Sequence, residues 1–208
     1  MQWERKLSTY RKIYLVRHGK IDMGNEKCYI GNIDLPLCEE GILQCRKLKK
    51  FFSDVHIEKV YLSPLKRCVQ TADIILKCKD VEKVLVEEFR EIDMGEWDGK
   101  TFRYIKKFSP EEFRKRGENL DTFVPEGGES FRQLQERVMP QIMHIIKNST
   151  GNIMVITHAG VNRVILGSIL SIPLCDIFKI KQNYACINEL YWDSERRIWV
   201  KEKFCLNM

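Results

Sequence analysis

Lys12-Ile13-Tyr14-Leu15-Val16-Arg17-His18-Gly19 is the stretch on which the reading of this chain turns. Ile13 to Val16 are all apolar and include two β-branched residues, the pattern of a short strand buried on both faces in a parallel sheet. The strand stops abruptly in a cation, an imidazole and a glycine. Open α/β sheets bind their ligands at the carboxyl ends of their strands. Arg17 and His18 therefore stand where a ligand is expected, and Gly19 allows a sharp turn there. Taken alone, the tripeptide fits a structural role equally well, with Arg17 paired to a carboxylate and His18 satisfied in the core.

The same pattern returns in Ile153-Met154-Val155-Ile156-Thr157-His158, followed by Ala159-Gly160 and an apolar helix to about Leu170. Lys59-Val60-Tyr61-Leu62-Ser63 reads as a second strand. Ser63-Pro64 then predicts a helix start, serine as the cap and proline at the first helical position. Arg67 falls in its first turn, and Leu65, Cys68, Val69, Ala72, Ile75 and Leu76 form its buried face. Val84-Leu85-Val86 is a third strand, leading into the loop from Phe89 to Gly99, which is rich in carboxylates and contains Glu91. Before these, Lys20 to Leu37 has no periodicity, and a helix is predicted from Glu39 to about Ser53, acidic at its start and basic near its end. Ser130 and Gln133 have capping-box spacing and open a long helix whose stripe runs Phe131, Leu134, Val138, Ile142, Ile145 and Ile146. Pro140 is expected to bend it. Residues 187–192 and 197–201 alternate as a hairpin does.

Strands alternating with helices predict a three-layer α/β/α sandwich around a mainly parallel sheet. At 208 residues the chain reads as a single domain over 1–208, with a helical cap inserted at about 100–127. Phe102, Tyr104 and Phe113 in that segment lie among Lys and Arg residues. They are expected either to set substrate choice by stacking and cation–π contact or to pack as a partly amphipathic cap.

Composition narrows the function. Hydrophobic residues make up 44% and charged residues 31%, an ordinary globular balance. No apolar run approaches the ~20 residues of a membrane span. The first residues lack the apolar segment of an export signal, so the cytoplasm is the expected compartment. The eight cysteines show no Cys-x-x-Cys pair and no close Cys/His cluster, which predicts reduced thiols rather than disulfides or zinc. The net charge of +6 comes from basic residues scattered among 29 acidic ones, so a small phosphate-bearing molecule is expected rather than nucleic acid. A homodimer is one expected state of assembly.

In the predicted sheet, Arg17, His18, Arg67, Glu91 and His158 share one edge. Each has an ordinary reading: a solvated helix arginine, a surface carboxylate, a structural histidine. Those readings leave the convergence unexplained. Two arginine forks match phosphate oxygens. Two histidines supply a nucleophile and a second donor. The start of the helix after His158 offers backbone N–H groups to an anion. One carboxylate can carry a proton, and no carboxylate pair is placed to hold magnesium, so neither a metal nor another cofactor is expected.

Leu15-Val16-Arg17-His18-Gly19, Ser63-Pro64-Leu65-Lys66-Arg67 with Gln70-Thr71-Ala72, Arg90 to Gly99, Gly128-Glu129-Ser130 and Thr157-His158-Ala159-Gly160 occur in this order. Together they resemble the histidine phosphatase superfamily, in its phosphoglycerate-mutase-like branch, from about residue 12 to 192. The resemblance implies that His18 is phosphorylated, that Arg17, Arg67 and a protonated His158 hold the phosphoryl group, and that Glu91 donates and then accepts the proton. The expected substrate contacts are Arg17, Gly19, Lys20, Asn25, Arg67 and Ala159. The chain departs from many relatives at Lys20, Ile21, Gly24 and Ile30, where polar contacts are common. Tyr29 to Leu37 is most similar to the α-ribazole phosphatase group. The implied activity is metal-independent phosphomonoester hydrolysis through phosphohistidine, with α-ribazole 5′-phosphate as one expected substrate. The alternatives are a broad-specificity phosphatase, a mutase-like enzyme, or a non-catalytic phosphate-binding regulator, the last disfavoured because all five core residues are present.

Overall fold

The computed structural model describes residues 10–24, 26–77, 79–196 and 198–206. The elements in chain order are β1 (Tyr10–Arg17), α1 (Glu39–Phe51), β2 (Lys59–Leu62), α2 (Lys66–Ile75), β3 (Glu82–Leu85), α3 (Phe102–Phe108) and α4 (Pro110–Glu118). They continue with α5 (Phe131–Asn148), β4 (Ile153–Thr157), α6 (Ala159–Ile169), β5 (Ile187–Asp193) and β6 (Ile198–Leu206). The six strands form one sheet in the order β3-β2-β4-β1-β5-β6. The pairs β2·β3, β2·β4 and β1·β4 are parallel, and the β5–β6 hairpin adds antiparallel to β1. Among the described residues, no helix is long and apolar enough to cross a membrane.

The uninterrupted apolar run of β1 is explained by its place between β4 and β5, with helices on both faces. Ile13 and Leu15 point into one core with Ile153, Val155 and the inner stripes of α5 and α6. Tyr14 and Val16 point into the other with Met154, Ile156, Leu48 of α1 and Ala72 of α2. Period-two alternation thus serves two layers at once.

Local signals hold at several helix ends. Ser130 and Gln133 close a reciprocal capping box, and α5 continues past Pro140 without ending. Pro110 opens α4 at its first turn. One start is corrected: α2 begins at Lys66, with Leu65 rather than Ser63 at its cap. Ser63 is drawn instead to a buried histidine, which leaves Ser63-Pro64 as the link between β2 and the helix. The third strand is also corrected, running Glu82–Leu85 as the exposed edge of the sheet rather than 84–86.

Candidate active site

Because β1 and β4 pair in parallel with Arg17 opposite Thr157, the residues just beyond both strands lie side by side. His18 and His158 are those residues, with ring centroids 5.1 Å apart. His18 Nδ1 lies 2.7 Å from the carbonyl oxygen of Gly19. A carbonyl only accepts, so Nδ1 carries the proton and Nε2 keeps a lone pair. Burial, then Arg17 and Arg67, push the His18 pKa well below the ordinary histidine value, and the ring is neutral. Gly19 is required by space as well as by the turn: a Cβ there would sit 2.7 Å from the Gly41 carbonyl oxygen.

His158 has the same burial and different company. Its Nδ1 accepts from Arg67 Nε at 3.1 Å, and its Nε2 lies 2.7 Å from Ser63 Oγ. Arginine only donates, so Nδ1 is the lone-pair nitrogen and Nε2–H donates to Ser63. The expectation of a protonated His158 is therefore corrected: the ring is neutral, and burial with Arg67 beside it holds its pKa well below the usual value. Arg67 is 1% exposed and spends its other amino groups on the carbonyls of Ile33 and Gly31, both at 2.7 Å. It anchors the loop after β1 as well as facing the site.

Arg17 is held differently. Its Nη1 donates to the Gln182 carbonyl at 2.5 Å, and its guanidinium lies 3.8 Å from the centre of the Tyr184 ring. Its Nε is buried and has no hydrogen-bond partner. A buried N–H left unpaired costs about 1–3 kcal/mol unless a ligand satisfies it, so the free edge of this fork marks where an anion belongs. Gln182 is itself fixed by Asn162 and Asn188 in a buried amide network.

Glu91 reaches the site from the loop after β3 and is 7% exposed. Its Oε2 accepts from the Gly160 N–H at 3.1 Å and its Oε1 from its own neighbour Ile92 at 3.0 Å. Of the N–H groups at the start of α6, that of Gly160 is already taken by the protein's own carboxylate, while Ala159 lines the cavity. A Cβ on residue 160 would lie 2.4 Å from Glu91 Oε1, so only glycine lets the carboxylate dock. Arg137 locks the loop from behind, donating to the Glu91 carbonyl at 3.1 Å and pairing with Glu129, which in turn accepts from the Asp93 N–H.

A cavity of about 1030 Å3 opens over these groups, lined among others by Arg17, Glu91, Ala159, Tyr184, Phe102 and Arg116. The expected contacts Arg17 and Ala159 face it. Gly19 and Arg67 are not among its lining residues and bond to the histidines instead. Lys20 does not line this cavity: its ammonium pairs with Glu40 at the start of α1, and it lines a separate surface cleft. Asn25 lies outside the described residues. Among the described residues, no three His, Cys, Asp or Glu side chains come together as a metal site would need. Ser63, Gln182, Tyr184, Arg116 and Arg163 were not legible as site residues. Only Arg163 carried a local signal, lying one helical turn after Ala159-Gly160 and so on the same face of α6.

The fold and this constellation agree with what the chain resembles. Residues 13–204 match the family model of the histidine phosphatase superfamily (branch 1). The chain belongs to that superfamily and is a phosphatase. It is 26% identical to the adenosylcobalamin/alpha-ribazole phosphatase of Salmonella typhimurium over 84% of this chain and 87% of that one. It is 27% identical to phosphoserine phosphatase 1 of Hydrogenobacter thermophilus over 91% and 90%. The crystal structure of the alpha-ribazole phosphatase from Shigella flexneri superimposes with a TM-score of 0.85 at 22% identity, covering 95% of this chain and 96% of that one. The fold is thus phosphoglycerate mutase-like.

Proposed function

We propose that the protein hydrolyses small phosphomonoesters through a phosphohistidine formed on His18, without a metal. The observation that carries this is the pairing of a neutral histidine, its Nε2 lone pair free, with an arginine whose buried Nε lacks a partner. In the first step His18 Nε2 attacks phosphorus, the ester P–O bond breaks, and Glu91 gives its proton to the departing oxygen. The Gly19 carbonyl holds the Nδ1 proton, which favours the positive charge that grows on the ring. In the second step water loses a proton to Glu91 and attacks phosphorus. The P–N bond then breaks, releasing orthophosphate and neutral His18. Arg17 and Arg67 supply the fixed positive charge that the spread equatorial oxygens need.

Relatives named for different substrates at nearly equal identity do not select one for this chain. Tyr29, Phe102 and Phe131 give the cavity apolar walls suited to the flat base of α-ribazole 5′-phosphate. A second reading rests on Arg116. It is part-buried, lies 5.2 Å from the centre of the Tyr29 ring, and has no hydrogen bond or ion pair among the described residues. Lys27 and Arg163 face the same space, where Glu91 is the sole carboxylate of the lining. A part-buried Arg116 without an ion-pair partner favours a substrate with a second anionic group.

One experiment tests the activity. Brief incubation with a labelled phosphomonoester, quenched in alkali, traps acid-labile label on the wild type and none on His18→Ala, with EDTA making no difference. Label on the variant, or loss on chelation restored by a divalent metal, overturns the mechanism. A panel holding α-ribazole 5′-phosphate, phosphoserine and neutral alkyl phosphates then separates the substrate readings. The second reading expects Arg116→Met to lower the preference for the acid-bearing members.

A further inference from the structure

Tyr184 is not part of the chemistry described above, yet it touches both groups that perform the first step. Its ring lies 3.8 Å from the Arg17 guanidinium carbon and 5.6 Å from the centre of the His18 ring. Among the described residues its hydroxyl bonds to the sulfur of Met23, at 3.8 Å, so the flat face of the ring, not the phenol, is what meets the site. The backbone is built to deliver that face. Ala185 has φ 54°, a left-handed conformation that side-chain-bearing residues avoid. It is held there by two hydrogen bonds: its own N–H donates to the His18 carbonyl at 3.0 Å, and the Cys186 N–H donates to the Asn183 carbonyl at 3.2 Å. Strain kept in place by surrounding contacts, at a residue bonded to the nucleophile's own carbonyl, points to function.

We infer that Tyr184 is a positioning residue that locks the Arg17 fork beside His18, so that the free Nε edge of the guanidinium meets the phosphoryl group as it transfers. Among the described residues, Arg17 has one side-chain hydrogen bond, at Nη1 to the Gln182 carbonyl. One bond at a corner leaves a planar group free to pivot, and a ring pressed on its face removes that freedom. An aromatic face also attracts the cation, an attraction that is stronger where water is excluded. The same ring limits the swing of the His18 imidazole away from His158. The role needs a flat aromatic and does not need a hydroxyl.

The test rests on the phosphohistidine reading and separates its failure from that of Tyr184. Phosphoenzyme formation is followed by rapid quench with labelled phenyl phosphate, alongside steady-state kcat and KM, for the wild type, Tyr184→Phe and Tyr184→Leu. Phosphoenzyme formation should be slowed at least about tenfold in Tyr184→Leu, with kcat falling more than KM rises, and Tyr184→Phe should stay within about threefold of the wild type. Thermal unfolding checks that each variant is folded, and Tyr184→Met replaces the leucine variant if that one is not. Equal rates in the phenylalanine and leucine variants overturn the proposal. So does a raised KM with kcat unchanged, which would make Tyr184 a wall of the substrate cavity. Absence of label on the wild type overturns the phosphohistidine reading and this proposal together.

Discussion

Two histidines end two neighbouring parallel strands, and their surroundings divide them. His18 and His158 follow the same four- or five-residue apolar pattern, are both nearly inaccessible, and are both held neutral by burial beside arginines. His18 gives one nitrogen to its neighbour's carbonyl and keeps the other free. His158 has both nitrogens engaged, one accepting from Arg67 and one donating to Ser63. Equal sequence signals thus yield one ring with a free nitrogen and one with both nitrogens engaged. The difference lies in partners that the strand pattern cannot encode.

The comparison breaks most sharply under replacement of each ring. His18→Ala should lose turnover and label entirely. His158→Ala should still form labelled enzyme, up to about 10²-fold more slowly, the cost of misplacing Arg67 once the acceptor of its Nε–H is gone. Removing His158 also frees Arg67 Nε, and a smaller polar residue such as Asn should recover part of the rate. If His158→Ala is as dead as His18→Ala in the label assay, a role confined to holding Arg67 fails. His158 would then share the covalent step.

A smaller effect sharpens the likeness between the two rings. Both pKa values lie well below the ordinary ~6.5 in the folded protein and return to it on unfolding. Below about pH 6.5 the unfolded chain therefore binds more protons than the native one, and stability falls with falling pH. Each histidine contributes a slope of up to ~1.4 kcal/mol per pH unit in that window and nothing well above it. Urea midpoints between pH 5.5 and 7.5 should show this slope in the wild type and roughly half of it in either alanine variant. A wild-type slope unchanged by removing His158 would mean that ring is charged in the native state, contrary to its bond from Arg67.

What was legible in the sequence follows the same division. The apolar runs ending in Arg17-His18-Gly19 and Thr157-His158 are local signals, and strand pairing carried both to one edge with no further information. Arg67 and Glu91 were legible because each follows a strand closely. The protonation state of His158 was not, since it depends on Ser63, and Ser63-Pro64 also fits a helix cap; the buried ring won that competition. Lys20 looked like a rim cation because Glu40, its partner, lies 20 positions away. Gln182 and Tyr184 come from the link between α6 and β5, which has no periodicity to mark it. Their importance arises from a backbone that folds back on Arg17 and His18 across more than 160 positions. Local patterns give the strands and their ends. Contacts distant in sequence give the chemistry its tuning.

The smallest expected effect concerns the aromatic residues between Gly99 and Gly127, which sequence alone treated alike. In the structure they divide three ways. Phe102 stacks on Tyr29, ring centroids 4.1 Å apart and 25° from parallel, and lines the cavity over the site. Tyr104 turns outward, 46% exposed, and packs on Phe108 away from the cavity. Phe113 packs against the core beneath α4. A stacked aromatic contact is worth ~0.5–1.5 kcal/mol beyond its burial. Phe102→Ala should therefore lower kcat/KM for a bulky aryl phosphomonoester by up to about tenfold while changing a small alkyl phosphate little. Tyr104→Ala should leave both substrates and the melting temperature nearly unchanged. Phe113→Ala should lower the melting temperature without altering the ratio of the two substrates. If Tyr104→Ala moves that ratio as much as Phe102→Ala does, α3 must turn its outer face to the substrate, and the division fails. If Phe102→Ala slows both substrates equally and melts earlier, the Tyr29 stack is core packing and the aryl group lies elsewhere in the cavity.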